Sequence, residues 1–404
     1  MHRNEVVVPT QIGDPVHGML SCHAAPLIAG SLRAKGRTAR LAELPRCDDP
    51  SGDFDAKLFL VTCAQQDGST AAIAAAAAPG DALSATAARA AVEDWATASG
   101  ARTLLLAGSP FCSGAMHGAS AARQAAAEYG GAGRTVHVLA PVAIPPETAR
   151  ALDELGAVIT HSLDAVDPGD VVVFPAHGTT AEMRAEAARR GATVVDATCP
   201  LVAAAQSTAA RVADRGQQLV LIGQPGQAST AAIASQAPGQ VTVIDTAAKT
   251  AALRPGDSRQ ISYLMQPGIA LEAATPIVSA LRSRYPSVRR AVPSDICYAP
   301  SDRAGTIYAV ALGSEFMLVL GDPQAADTKQ VCGYARDSGT HVQVIAEVAD
   351  IKPQMLAAVD TIGLAESTTA RAGLAAQVIS ALSGLGRLTV ARRKLNTEKT
   401  PVPL

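Results

Sequence analysis

Three cysteines and one histidine stand out by their settings. Cys112 lies in Leu104-Leu-Leu-Ala-Gly-Ser-Pro-Phe-Cys112-Ser-Gly114, Cys199 in Asp196-Ala-Thr198-Cys199-Pro-Leu-Val202, and Cys297 in Asp295-Ile-Cys297-Tyr-Ala299. His177 follows an apolar run in Phe174-Pro-Ala-His177-Gly178, one helix-length ahead of Cys199. The cysteines recur at module-sized intervals, each near the end of a strand or the start of a helix. Parallel α/β sheets place ligands outside the carboxyl ends of their strands, so three such modules about a common centre would bring the thiols together. Converging thiolates have few uses. Structural zinc takes four ligands, commonly from local pairs such as Cys-x2-Cys; the chain has no such pair, although His177 would complete a Cys3His set. An iron–sulfur cluster normally takes four cysteines, and three would leave one iron open as a Lewis acid while the cluster supplies electrons.

The elements that must position these residues read as α/β throughout. Residues 1–101 form an expected α/β domain with strands at 5–9 and 57–62, helices at 24–34 and 84–99, and a polar loop at 46–53. The near-pure alanine run at 70–78 is expected to be a tightly packed helix. From residue 102 the order becomes regular: strands at 103–107, 136–139, 157–159, 171–174 and 193–195 alternate with helices at 120–128, 146–155 and 180–190. The pattern recurs after Cys199, with helices at 203–215 and 272–285 around strands at 218–222 and 241–244. It recurs again from residue 302, with helices at 302–312, 327–337 and 370–382 and strands at 316–320, 342–345 and 361–363. Such alternation predicts parallel sheets. Residues 102–390 are therefore expected to be a core of three parallel-sheet modules, and 391–404 a polar tail.

Composition narrows the function. The 404-residue chain is 48% hydrophobic with a formal charge of −2, and no Lys/Arg cluster suggests a phosphate-backbone footprint, which argues against nucleic acid. The start has only a short apolar run, and no stretch of about 18 apolar residues follows. A cytoplasmic protein without a membrane span is expected. Seven cysteines in that setting argue against a disulfide framework, and Cys22, Cys47, Cys63 and Cys332 read as small core hydrophobes. His17, Cys22 and His23 cluster in sequence but lack a fourth ligand, and Gly223-x-x-Gly226 lacks the full dinucleotide fingerprint.

Taken together, Phe111-Cys112-x-Gly114, Ala176-His177-Gly178, Asp196-Ala-Thr-Cys199-Pro-Leu-Val202 and Asp295-Ile-Cys297-Tyr-Ala299 resemble the LytB/IspH family, the 4-hydroxy-3-methylbut-2-enyl diphosphate reductases. The resemblance covers about 102–390 and leaves 1–101 unexplained. It implies a trefoil of three parallel-sheet α/β modules around a central [4Fe-4S] cluster, here with an added N-terminal α/β domain. It also implies that Cys112, Cys199 and Cys297 bind the cluster. In the family the apical iron takes an allylic hydroxyl, which two electrons and protons remove as water. A ferredoxin or flavodoxin is the implied electron donor.

The substrate half of the family pattern is altered. Ile144 falls near a family histidine for diphosphate, and Gly226-Gln227-Ala228-Ser229 replaces a Gly-His-Pro-Glu that supplies another histidine and the glutamate of a proton relay. Gln266 stands in place of a threonine-rich turn, Ala325-Ala326-Asp327 in place of a Ser-x-Asn turn, and Thr369 approximates a late serine. His177 alone clearly survives among the diphosphate ligands. The candidate catalytic residues are His177, Thr198 and Glu366; the candidate substrate-binding residues are His177, Gln227, Ser229, Gln266, Asp327 and Thr369. The expected function is reductive removal of an allylic or activated hydroxyl from a small, less anionic molecule. The family's own diphosphate reduction and a non-catalytic cluster-bearing sensor or partner subunit are the alternatives.

Overall fold

The computed structural model describes residues 2, 4–44, 56–139, 144–254, 260–291 and 296–395, and its first sheet gathers the apolar stretches of the N-terminal hundred residues. The strands β1 (Glu5–Asp14) and β2 (Gly18–Ser21) form a hairpin, and α1 (Ala25–Ala34) follows. With β3 (Thr38–Leu44), β4 (Lys57–Ala64) and β5 (Thr70–Ala77), they make a mixed sheet in the order β3-β1-β2-β5-β4. The next helix, α2 (Ala82–Thr97), is capped by Asp81, whose carboxylate accepts the Ser84 N–H, and it packs against β5. The polar loop expected at 46–53 lies outside the described residues.

The alanine run is a strand, which corrects the expected helix. β4 pairs antiparallel with β5 from Lys57↔Ala77 to Ala64↔Thr70, across a turn where Asp67 accepts both the Ser69 N–H and its hydroxyl. Every residue from Ala71 to Ala77 is at most 1% exposed. A strand covered on both faces has room for methyl groups where larger side chains would collide, so packing outweighs alanine's intrinsic helix preference.

Three parallel sheets follow. After β6 (Arg102–Leu106), α3 (Ser113–Ala125) leads to β7 (Val136–Leu139), α4 (Pro146–Glu154), β8 (Val158–Thr160), β9 (Val171–Phe174), α5 (Ala181–Arg189) and β10 (Thr193–Asp196), with strand order β10-β9-β7-β8. Next come α6 (Pro200–Asp214), β11 (Gln218–Ile222), α7 (Ala228–Ala234), β12 (Val241–Ile244), β13 (Ile261–Met265), α8 (Leu271–Arg284) and β14 (Arg289–Arg290), in the order β12-β11-β13-β14. The last group is α9 (Ala299–Leu312), β15 (Phe316–Leu320), α10 (Ala326–Arg336), β16 (His341–Ile345), α11 (Pro353–Leu356), β17 (Thr361–Glu366), α12 (Leu374–Ser383) and β18 (Leu388–Arg392). It recruits β6 to give β16-β15-β17-β6-β18. Strand order reverses at β7/β9, β11/β13 and β15/β17, the points where parallel sheets open crevices beyond their carboxyl ends.

The compact units cut across the expected limits at 101 and 390. The described residues up to 108 and those of 306–394 form one unit, and those of 109–305 with 395 form the other. In the first unit, Val6, Val8, Ile28, Ile73 and Trp95 share a core with Leu104, Leu318, Ile362 and Leu364. Arg102 reinforces it, donating to the carbonyls of Ala98, Leu356 and Val359. The N-terminal segment thus has its own sheet but not its own core. The expected tail loses its first residues to β18, which pairs with β6 through Arg392, and residues 396–404 lie outside the described residues.

Ala74→Leu should lower stability by about 1–3 kcal/mol by overpacking β5. Urea unfolding can be followed by the fluorescence of the single tryptophan, Trp95, which is buried with its indole N–H on Ser31 Oγ. Unchanged stability would fit an exposed helix instead.

Candidate functional site

All three singled-out cysteines lie in the 109–305 unit, each at or just before a helix start. Cys112 is the N-cap of α3, and its Sγ accepts the Ala115 N–H at 3.4 Å. This cap starts the helix well ahead of the expected residue 120. Cys199 occupies the N-cap position of α6 without a side-chain cap bond, and its N–H donates to the Ala176 carbonyl at 2.9 Å. Cys297 immediately precedes the first turn of α9. Burial pushes its thiol up and the nearby Cys112 and Cys199 add to the rise, while N–H groups of Ala299 and Gly268 counter it. The thiolate is the form that binds metal.

Gly114 brings the sulfurs close. A Cβ there would stand 2.9 Å from Cys199 Sγ and 3.8 Å from Cys112 Sγ. Among the described residues, no three His, Cys, Asp or Glu side chains are gathered tightly enough for a single ion. Cys112 and Cys199 thus meet at Gly114, and both lie near enough to Cys297 to act on its thiol.

His177 borders the same region. It follows β9 in a turn completed by Gly178, whose φ of +79° favours glycine and whose missing Cβ leaves room for Val202 and Ala232. The buried Gln206 amide donates to the carbonyls of Thr179 and Ala232 and anchors the turn. Burial lowers the His177 pKa, so its imidazole is neutral at neutral pH. His177 lines a cavity of about 60 Å³ with Ala115, Gly118, Ile144, Pro145 and Phe174, at the β7/β9 reversal. This crevice is mostly apolar.

Thr198 is held in the turn that leads to Cys199. Its hydroxyl donates to Asp196 Oδ1 at 2.5 Å and accepts from Arg184 at 3.3 Å. Burial pushes the Asp196 carboxyl up, but hydrogen bonds from Arg184 and Thr198 prevail and hold it below its ordinary value.

At the β11/β13 reversal, Gln266 fills the crevice: Oε1 accepts the Gln224 N–H at 2.8 Å, and Nε2 donates to Ser229 Oγ at 2.9 Å. Gln266 and Ser229 are buried, and a Cβ on Gly223 would lie 2.6 Å from Gln266 Oε1. Gln227 is exposed at the start of α7.

Asp327, Thr369 and Glu366 belong to the other unit. At the β15/β17 reversal, Asp327 Oδ2 accepts the Thr368 N–H at 2.7 Å, and Thr369 Oγ1 accepts the Asp322 N–H at 3.0 Å. Thr328, Ser367 and Thr369 hydroxyls bond one another. Glu366 is half-buried at the end of β17.

A family profile described as LytB protein matches residues 104–383. The chain belongs to the LytB family. A relative from Mycobacterium bovis, 4-hydroxy-3-methylbut-2-enyl diphosphate reductase 2, is 38% identical over 251 residues, covering 61% of this chain and 76% of the relative. The Cereibacter sphaeroides (strain ATCC 17029 / ATH 2.4.9) reductase of that name is 33% identical, covering 57% of this chain and 73% of its own. In fold, this LytB protein is similar to the solved E-1-hydroxy-2-methyl-but-2-enyl-4-diphosphate reductase from Plasmodium falciparum. The TM-score is 0.62 at 19% identity, covering 73% of this chain and 93% of that one.

LytB proteins are oxidoreductases that bind a [4Fe-4S] cluster, and the donor set of Cys112, Cys199 and Cys297 fits such a group. Among the described residues of this LytB protein, no helix is long and apolar enough to cross a membrane. His17 instead pairs with Asp14 at the β1–β2 turn, and Cys22 and Cys332 are buried. Sequence reasoning missed Arg184, whose only signal was its place in α5 after the Thr180 cap.

Gly114→Ala should place a methyl against Cys199 Sγ and weaken cluster retention by about 10–100-fold. Iron and sulfide analysis after anaerobic reconstitution checks this; full wild-type loading would refute the close approach.

Proposed function

We propose that this LytB protein is an iron–sulfur reductive dehydroxylase that holds its cluster through Cys112, Cys199 and Cys297. Its substrate is a small alcohol less anionic than the diphosphates in its relatives' names. The observation that carries this reading is that backbone N–H groups at two sheet reversals already have protein acceptors. Gln266 takes the Gln224 N–H, Asp327 the Thr368 N–H, and Thr369 the Asp322 N–H. An anion that sought any of these N–H groups would have to displace the acceptor it already has.

When bound, the cluster supplies electrons and an iron open to a hydroxyl oxygen. Neutral His177 offers a hydrogen bond to an uncharged ligand, and the apolar wall with Ile144 excludes water around it. Overall, R–OH, two electrons and two protons give R–H and water. A ferredoxin or flavodoxin supplies the electrons, and the reducing cytoplasm suits the oxygen-sensitive group. Glu366 and His177 are the groups proposed to handle protons; Gln227 adds an exposed polar contact.

A second reading, reduction of 4-hydroxy-3-methylbut-2-enyl diphosphate itself, draws support from the 38% identity to the mycobacterial relative. Anaerobic kinetics on cluster-loaded protein separate the two. Each charge-assisted hydrogen bond denied to a diphosphate costs about 1.5–3 kcal/mol, or roughly 10–100-fold in affinity. The unphosphorylated allylic alcohol should therefore have the higher kcat/KM. Faster wild-type turnover of the diphosphate would establish the second reading.

A further inference from the structure

Helix α5 carries one charged side chain that reaches both turns supporting Cys199. Arg184 Nη1 donates to Asp196 Oδ2 at 2.7 Å, and Nη2 donates to Thr198 Oγ1 at 3.3 Å. The guanidinium also lies over the Phe174 ring, 5.0 Å from its centroid. Asp196 Oδ1 accepts the Thr198 N–H at 3.1 Å and its hydroxyl at 2.5 Å. Phe174 ends β9, and two residues later the Ala176 carbonyl receives the Cys199 N–H. One side chain thus joins the turn before Cys199 to the strand end that supplies its backbone acceptor.

We propose that Arg184 is a positioning residue for Cys199: with Asp196 and Thr198 it clamps the turn, aims the thiolate and sets how firmly a metal cluster is retained. The proposal rests on the reading of Cys199 as a cluster ligand. It also gives Thr198, a candidate catalytic residue by sequence, a positioning role, its hydroxyl donating to Asp196 Oδ1. A planar guanidinium can bond two acceptors while stacking on a ring; an ammonium can supply the charge but not that geometry. Arg184 and Asp196 are 33% and 43% exposed, and ion pairs so accessible contribute little to global stability. Loss of the clamp should therefore loosen the turn without unfolding the chain.

Arg134 provides a matched control. It donates to Gly169 O at 2.8 Å and Thr193 Oγ1 at 2.7 Å, and stacks over Tyr129, but does so at the amino ends of β9 and β10.

Full-length wild type, Arg184→Gln, Arg184→Lys and Arg134→Gln would be compared in two ways. In cluster-loaded protein under anaerobic chelator challenge, Arg184→Gln should lose iron about 10–100-fold faster and show an altered electron paramagnetic resonance signal. Arg184→Lys should fall between, and Arg134→Gln should match wild type. In cluster-free protein, the amides of Thr198 and Cys199 should exchange hydrogen faster in Arg184→Gln but not in Arg134→Gln. Unchanged exchange at those amides in Arg184→Gln, or an equal loss in both glutamine variants, would overturn the proposal. Wild type that takes up no iron would fail the cluster reading, and the exchange result would then decide the clamp alone.

Discussion

The close approach of α3 to the Cys199 sulfur is the constraint on which the rest of the site depends. A methyl at position 114 would sit 2.9 Å from that sulfur, inside any ordinary contact distance. Glycine at 114 allows a helix capped by Cys112 to start beside a helix with Cys199 at its N-cap position. The same face continues at Gly118, where a Cβ would lie 3.0 Å from the Ala176 Cβ. Small residues therefore bring α3 against the turn bearing His177. That turn supplies the carbonyl that holds the Cys199 amide.

The three sheet reversals are closed by different means. The first is lined mainly by Ile144, Phe174 and small residues, with one neutral imidazole. The second is filled by Gln266. The third sets Asp327 on the Thr368 N–H and Thr369 on the Asp322 N–H, with the Ser367 and Thr369 hydroxyls bonded to each other. Metal binding and substrate recognition are separable in such an arrangement: thiol placement depends on helix starts, whereas ligand charge depends on the side chains beyond the strands.

The parallel sheets and the three cysteine turns were legible because strand–turn–helix punctuation repeats around Cys112, Cys199 and Cys297. The alanine run was not, since its strand state comes from pairing with Lys57–Ala64 and from burial, neither of which a local propensity carries. Cys112's capping role moved the start of α3, because cysteine is not among the preferred cap residues. Ser229 and Gln266 were legible as polar crevice residues, but their bond to each other depends on two strand ends distant in sequence. Arg184 was illegible for the same reason: its partners come from two other elements.

Mössbauer spectroscopy of anaerobically purified, iron-57-enriched protein tests the three-thiol cluster most directly. About four iron atoms per chain are expected, one spectroscopically distinct from the other three and responsive to an added alcohol. Stoichiometric zinc, or iron atoms all ligated alike and indifferent to the alcohol, would contradict it.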